Sequence, residues 1–214
     1  MTPENTIRIA LTKGRLEKKT LELLEHSGYD VSELRSGSRK LIFKLPDSNI
    51  ELVLAKAADV ITYVEHGVCD MGVVGKDTIM EKGGSFYETL DLGFGACRFC
   101  LCGKAGDHFY EGYHTRTIAS KYPEVTRKFF AEKNMDVDII KIEGSVELAP
   151  LLGLADAIVD IVETGTTLKE NGLEVFETVA PISARVIVNL ASMKMKKQKI
   201  QELTGQLEAG LSED

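Results

Sequence analysis

The stretch Glu147–Leu168, ELAPLLGLADAIVDIVETGTTL, decides how this chain reads. A helix over Val146–Leu154 leads into a buried strand over Ala157–Val162, then a turn at Thr164-Gly165-Thr166-Thr167, then a second, short helix to Glu170. Strand, turn and helix in that order are the unit of an α/β fold. The turn offers clustered backbone N–H groups, three threonine hydroxyls and a helix N-terminus to one anion. Such a concave set of donors holds a phosphate without a lysine clamp. Asp160 and Glu163 stand just ahead of it. Carboxylates beside a phosphate cup suit a phosphorylated sugar, whose hydroxyls need acceptors, better than a bare phosphate.

Outward from this stretch the same alternation continues. Strands are expected at Ile7–Leu11, Met71–Val74, Phe86–Leu92, Arg98–Cys102, Thr117–Ser120, Val137–Ile142, Glu174–Ala180 and Arg185–Leu190. Leu41–Leu45 and Glu51–Ala55 read as a hairpin across Pro46-Asp47-Ser48-Asn49. Helices are expected from Arg15 to about His26, stopped by Ser27-Gly28, and at Asp59–His66, Asp77–Glu81, Pro123–Lys133 and Met193–Leu211. A parallel or mixed sheet with helices on its faces follows. One doubly wound sheet would need about ten strands, near the limit for a twisted open sheet. Two lobes are therefore expected, with Leu92-Gly93-Phe94-Gly95 as the first crossover and the extended stretch near Val175–Ala180 as the return. Residues 1–93 with 181–214 form the first lobe, and 94–180 the second. A cleft between such lobes is a natural ligand site.

A chain of 214 residues buries roughly 70% of its unfolded surface, enough for a proper core. It has no apolar run of membrane-spanning length and no secretory leader pattern, so a cytoplasmic protein off the membrane is expected. The formal net charge of −7 argues against nucleic acid, whose binding rests on phosphate contacts. Any anionic substrate needs locally concentrated cations. The four cysteines, Cys69, Cys97, Cys100 and Cys102, come with no second Cys pair or spaced His pair. Cys100 and Cys102 share a strand face, so reduced core thiols are expected rather than a zinc site.

Lys13-Gly14-Arg15 ends the first strand and opens a helix, where α/β sheets collect ligands. Cations at a helix N-terminus are electrostatically unfavourable and need a reason; a polyphosphate supplies one, a solvated basic turn does not. Arg39-Lys40, before the strand at Leu41, either guards an edge strand or brings a planar bidentate donor to a departing pyrophosphate. The run DMGVVG at Asp70–Gly75 lacks G-x-G-x-x-G spacing, so a dinucleotide fold is disfavoured. Its glycines permit close packing or backbone approach to a flat ligand. Glu143 and Glu147 are either an acid–base pair or helix-start acids that offset the dipole.

Taken together these pieces resemble the ATP phosphoribosyltransferase family. The resemblance is carried by Glu147, Gly153, Ala155, Ile158, Asp160, Ile161, Thr164, Gly165, Thr167 and Leu168. It extends through LTKGRL (Leu11–Leu16), SRKLIF (Ser38–Phe43), ADVITYVEHGVCDMGVVGKD (Ala58–Asp77) and SARVIVN (Ser183–Asn189). It implies a two-lobed fold like the periplasmic binding proteins, with a cleft between two mixed sheets. It implies transfer of the 5-phosphoribosyl group from phosphoribosyl pyrophosphate to N1 of ATP, with Mg²⁺, as the first step of histidine biosynthesis. By position, Glu163, Thr164, Gly165, Thr166 and Thr167 would cradle the 5-phosphate, with Asp160 and Glu163 near the ribose hydroxyls. Lys13, Arg15, Arg39 and Lys40 would face the phosphates of pyrophosphate and ATP, Arg39 and Lys40 in catalytic roles. Glu147 would lie at the reacting centre, and Asp70 near the nucleotide.

Because the chain stops after its last helix, the resemblance is to the short form of the family. That implies a homodimer core, a hetero-oligomer with a regulatory subunit resembling histidyl-tRNA synthetase, and weak or absent histidine sensitivity of the chain alone. Three other readings compete. Nucleobase phosphoribosyltransferases use a similar loop but place two adjacent acids before it, and here Val159 precedes Asp160. A solute-binding protein would carry an export signal. A module that binds a phosphosugar without turnover would share the fold alone.

Overall fold

The structure, a computed structural model, describes residues 6–212. The chain divides into two compact units, Met1–Gly95 with Ser183–Asp214, and Ala96–Ile182. The first unit runs β1 (Ile7–Thr12), α1 (Arg15–His26), α2 (Ser32–Arg35), β2 (Ile42–Lys44), β3 (Ile50–Ala55), α3 (Ala57–Glu65), β4 (Met71–Gly75), α4 (Lys76–Lys82) and β5 (Phe86–Asp91). The second holds β6 (Cys97–Lys104), β7 (Arg116–Ser120), α5 (Pro123–Glu132), β8 (Val137–Lys141), α6 (Leu148–Leu151), β9 (Ala157–Val162), α7 (Thr166–Glu170) and β10 (Leu173–Ile182). The chain ends in the first unit with β11 (Ala184–Asn189), α8 (Leu190–Met195) and α9 (Lys197–Leu211).

Both sheets are mixed. In the first unit the order is β2-β3-β1-β4-β11-β5. The strands β3, β1 and β4 are parallel, and β2, β11 and their neighbours pair antiparallel. One face packs on α1 and α9 through Leu21, Leu24, Ile200, Leu203 and Leu207. The other packs on α3 through Val60, Ile61 and Val64. Gly72 on β4 makes that second contact possible: a Cβ there would stand 2.7 Å from Val60 and 2.9 Å from Val64. Close packing is thus what this glycine of the DMGVVG run provides.

In the second unit the order is β10-β6-β9-β7-β8. The strands β8, β7 and β9 are parallel, while β6 and β10 run antiparallel to their neighbours. Cys100, Cys102, Ile158 and Val162 form a buried layer with Val146 and Ala149 beside α6 and Leu168 on α7. Among the described residues no cysteine is in a disulfide, and Cys69, Cys100 and Cys102 are buried.

Several elements differ from the sequence reading. The helix expected over Val146–Leu154 is only α6: Pro150 has no N–H to bond back to Val146, which limits the helix on its N-terminal side, and Gly153 (φ 74°) follows its end. The expected helix Met193–Leu211 is broken at Lys196, whose side chain turns inward to the Thr6 carbonyl and Asp70. It also starts earlier, at Leu190, because the Asn189 side chain caps the N–H groups of Ala191 and Ser192. β10 runs through Pro181, which an edge strand tolerates, and carries two register shifts.

Candidate functional site

In the second unit, β9 delivers the chain to Glu163 and Thr164 at the end of a parallel strand. Gly165 adopts φ 78°, ψ 7°, and α7 begins at Thr166. A Cβ at Gly165 would meet only Val162, at 3.8 Å, so conformation rather than space demands glycine here. The Thr164 and Thr166 hydroxyls lie 3.0 Å apart, and the Thr166 N–H points at the Thr164 hydroxyl at 3.4 Å. Thr164, Thr166 and Thr167 are exposed. The turn therefore presents hydroxyls and backbone donors to solvent.

Asp160 faces Cys100 across the β6–β9 pair, on the layer that α6 and α7 cover. Burial pushes its carboxyl above the ordinary 3.8 and the charge of Glu147 adds to this, while the Ile161 N–H and Lys121 oppose it. Glu147, half-buried just before α6, is thereby brought electrostatically beside Asp160. Glu143 is not its partner: a hydrogen bond and ion pair with Lys141 at 2.8 Å hold Glu143 in the charged form, below the usual range. Burial pushes the Cys102 thiol up to about 12, which leaves it a protonated core group.

In the first unit, β1 ends at Thr12, and Lys13, Gly14 and Arg15 form the turn into α1. Gly14 takes φ 102°, and the Glu17 carboxylate accepts its N–H at 3.2 Å. β2 runs antiparallel to β3, with Leu41 accepting from Leu54 N–H at 2.8 Å. Arg39 and Lys40 therefore reach the sheet edge where β1 and β3 end, the edge that holds Lys13 and Arg15. Lys40 pairs with Glu33 at 2.5 Å; both are well exposed, so the pair holds Lys40 weakly. Lys56, which follows β3 and precedes α3, sits on the same edge. The sequence reading missed it, although a cation at a helix N-terminus is the signal that singled out Lys13.

Asp70 lies at the opposite end of this sheet. It precedes β4, beside Arg8 near the start of β1. Its carboxylate accepts from the Arg8 N–H at 2.9 Å, the Ser192 hydroxyl at 2.7 Å and the Lys196 ammonium at 2.9 Å. Only 9% of its side chain is exposed. The structure thus gathers Lys13, Arg15, Arg39 and Lys40 on one edge of the first unit, and Glu147, Asp160 and residues 163–167 on one edge of the second. Asp70 joins neither group and ties β1, β4 and α8 together.

Comparison with known proteins bears on this arrangement. The family model HisG, ATP phosphoribosyltransferase, matches residues 56–209. The ATP phosphoribosyltransferase of Clostridium kluyveri is 57% identical over 213 residues, covering 100% of this chain and 97% of that protein. A chain from the ATP phosphoribosyl transferase (HisG:HisZ) complex of Thermotoga maritima superposes with a TM-score of 0.82 at 33% identity, covering 98% of this chain and 100% of that one. The periplasmic aliphatic sulphonate binding protein SsuA of Escherichia coli matches in fold, with a TM-score of 0.61 at 12% identity over 97% of this chain and 73% of its own.

Proposed function

The chain belongs to the ATP phosphoribosyltransferase family, and from that premise we propose which residues carry the reaction. The enzyme joins phosphoribosyl pyrophosphate to N1 of ATP, giving phosphoribosyl-ATP and pyrophosphate in the first step of histidine biosynthesis. The observation that carries the assignment of residues is the exposed loop 163–167 with Asp160 and Glu147 beside it.

In this reading the Thr164, Thr166 and Thr167 hydroxyls and the N–H groups around Gly165 hold the 5-phosphate. Asp160 and Glu163 accept from the ribose hydroxyls. Glu147 faces the reacting C1. Adenine N1 is already a neutral nucleophile and needs no strong base. The demanding step is loss of pyrophosphate as C1 becomes cation-like, so negative charge at Glu147 and Asp160 favours the transition state over the ground state. Arg39 and Lys40 stabilise the departing pyrophosphate, and Lys13 and Arg15 hold nucleotide phosphates. Asp70 has no part in this chemistry.

Among the described residues no three His, Cys, Asp or Glu side chains converge on a metal-sized site. The carboxylates at the loop are hard oxygen donors, of the kind Mg²⁺ takes singly or in pairs alongside substrate phosphates. They fit a cation that comes with the substrates. Bound there, Mg²⁺ would supply neutralisation of the leaving charge.

We further propose the short form of the family. Its support is that the Clostridium kluyveri relative is covered over nearly its whole length. The Thermotoga maritima protein was solved as a HisG:HisZ complex, and by that likeness this chain would take a HisZ-like regulatory subunit; the family resemblance adds a homodimer core and a subunit resembling histidyl-tRNA synthetase. No helix of the described residues is long and apolar enough to cross a membrane, and a cytoplasmic setting completes the proposal. The residue assignment is tested by calorimetric titration of phosphoribosyl pyrophosphate into wild type and a Thr164→Val/Thr166→Val variant. Loss of binding in the variant supports the loop; equal binding removes it.

A further inference from the structure

Residues 157–168 contain two acids, Asp160 and Glu163, and no lysine or arginine. Glu147 adds a third negative charge beside them. A donor bearing a phosphate and a diphosphate therefore meets a locally acidic surface, and its binding needs cations from elsewhere. The sheet provides two. Strand order puts β6 and β7 on either side of β9.

On β6, Arg98 is the register partner of Val162, the residue that leads into the loop. Directly opposed residues of an antiparallel pair share a face, so Arg98 lies on the same face as Asp160 and its partner Cys100. The Cys102 thiol, on that face too, feels the charges of Asp160, Arg98 and Glu147 together. On β7, Ser120 is the register partner of Val159, which sets the next residue, Lys121, beside Asp160. Both Asp160 and Glu143 feel its charge.

Lys121 is held on a rigid support. The buried Ser120 hydroxyl donates to the Val159 carbonyl at 2.6 Å and accepts the Tyr122 N–H at 2.9 Å. The Tyr122 ring meets Phe99 of β6 edge-on at 4.8 Å. The backbone on both sides of Lys121 is thus pinned while its side chain is exposed. Among the described residues neither Arg98 nor Lys121 has an ion-pair partner within 4.0 Å, whereas the neighbouring Lys141 is taken by Glu143 at 2.8 Å. Two unengaged cations bracket the loop, one on each flanking strand.

We propose that Arg98 and Lys121 are further ligands of the phosphate groups of phosphoribosyl pyrophosphate, one on each side of the 163–167 loop. The proposal rests on the reading of that loop as the donor site. It assigns to the second unit the positive charge that the loop lacks. A role limited to bracing the sheet would leave donor affinity unmoved, so affinity is the quantity to read.

The test is calorimetric titration of phosphoribosyl pyrophosphate into Arg98→Ala, Lys121→Ala and the Thr164→Val/Thr166→Val variant, with thermal melting to confirm folding. Each cation variant is expected to bind the donor about tenfold to a hundredfold more weakly, the size associated with hydrogen bonds to charged groups. Its affinity should also depend less on salt than that of wild type. Arg98→Lys and Lys121→Arg should recover part of the loss. If both alanine variants bind as wild type while the threonine variant does not, the cation proposal falls and the loop stands. If the threonine variant binds as wild type, the loop reading falls and this proposal with it.

Discussion

Replacement of Asp70 separates a structural from a substrate-binding carboxylate. Asp70→Ala removes the acceptor for three donors: the Arg8 N–H, the Ser192 hydroxyl and the Lys196 ammonium. Lys196 keeps only the Thr6 carbonyl at 2.7 Å, with 19% of its side chain exposed. Removing one partner of a buried pair costs about 3–5 kcal/mol, and the partial exposure of Lys196 places this case near 3. The half-buried Arg8 N–H, left unpaired, adds about 1 kcal/mol. The total is about 3–4 kcal/mol, a fall of roughly 6–16 °C in melting temperature for a domain of this size. Asp70→Asn keeps one acceptor oxygen and should lose about half as much. Urea unfolding gives the stability change, with the slope m unchanged. Steady-state kinetics below the melting range gives KM for ATP, which should match wild type. A stability loss under about 1 kcal/mol together with a raised KM for ATP would refute this reasoning and return Asp70 to the nucleotide.

Three other outcomes are expected. Gly72→Ala should destabilise the chain by about 1–3 kcal/mol, read by urea unfolding, because the new methyl stands against Val60 and Val64 on a packed helix. Asp160→Asn should bind the donor poorly yet be more stable than wild type near neutral pH. Because the folded pKa of Asp160 is raised, its stabilising contribution is complete below 3.8 and lost as pH rises through the raised value. The stability difference between variant and wild type should therefore narrow as pH falls toward 3.8, and a constant difference across that range would contradict the burial argument. Arg39→Ala should lower kcat about a hundredfold, some 3 kcal/mol of transition-state stabilisation, with donor binding partly kept; a near-normal kcat would remove Arg39 from the mechanism.

What the sequence discloses and what it hides divide along a physical line. The β9–loop–α7 segment is local: an apolar run, a glycine at positive φ and a helix start are all set by neighbouring residues, and the expected strand Ala157–Val162 is the observed one. The hairpin of β2 and β3 is legible for the same reason. Asp70 is the opposite case. Its donors come from Arg8, Ser192 and Lys196, 62 to 126 residues away, and nothing adjacent to it announces them. The same long-range bond breaks the C-terminal helix at Lys196, which periodicity alone reads as continuous. The relation of Arg98 and Lys121 to the loop is likewise hidden in the sequence, because it exists only once strand order sets β6 and β7 beside β9. Helix α6 shows the converse error: the apolar pattern around it favoured a long helix, and Pro150 and Gly153 overruled it.

The most direct test of the account is mass spectrometry of an incubation of the chain with ATP, phosphoribosyl pyrophosphate and Mg²⁺, with and without the candidate regulatory subunit, run in parallel for the Thr164→Val/Thr166→Val variant. Wild type is expected to give a phosphoribosyl-ATP adduct and released pyrophosphate, raised by the subunit, and the variant to lose the adduct. No adduct from wild type in either condition, or an undiminished adduct from the variant, would contradict it.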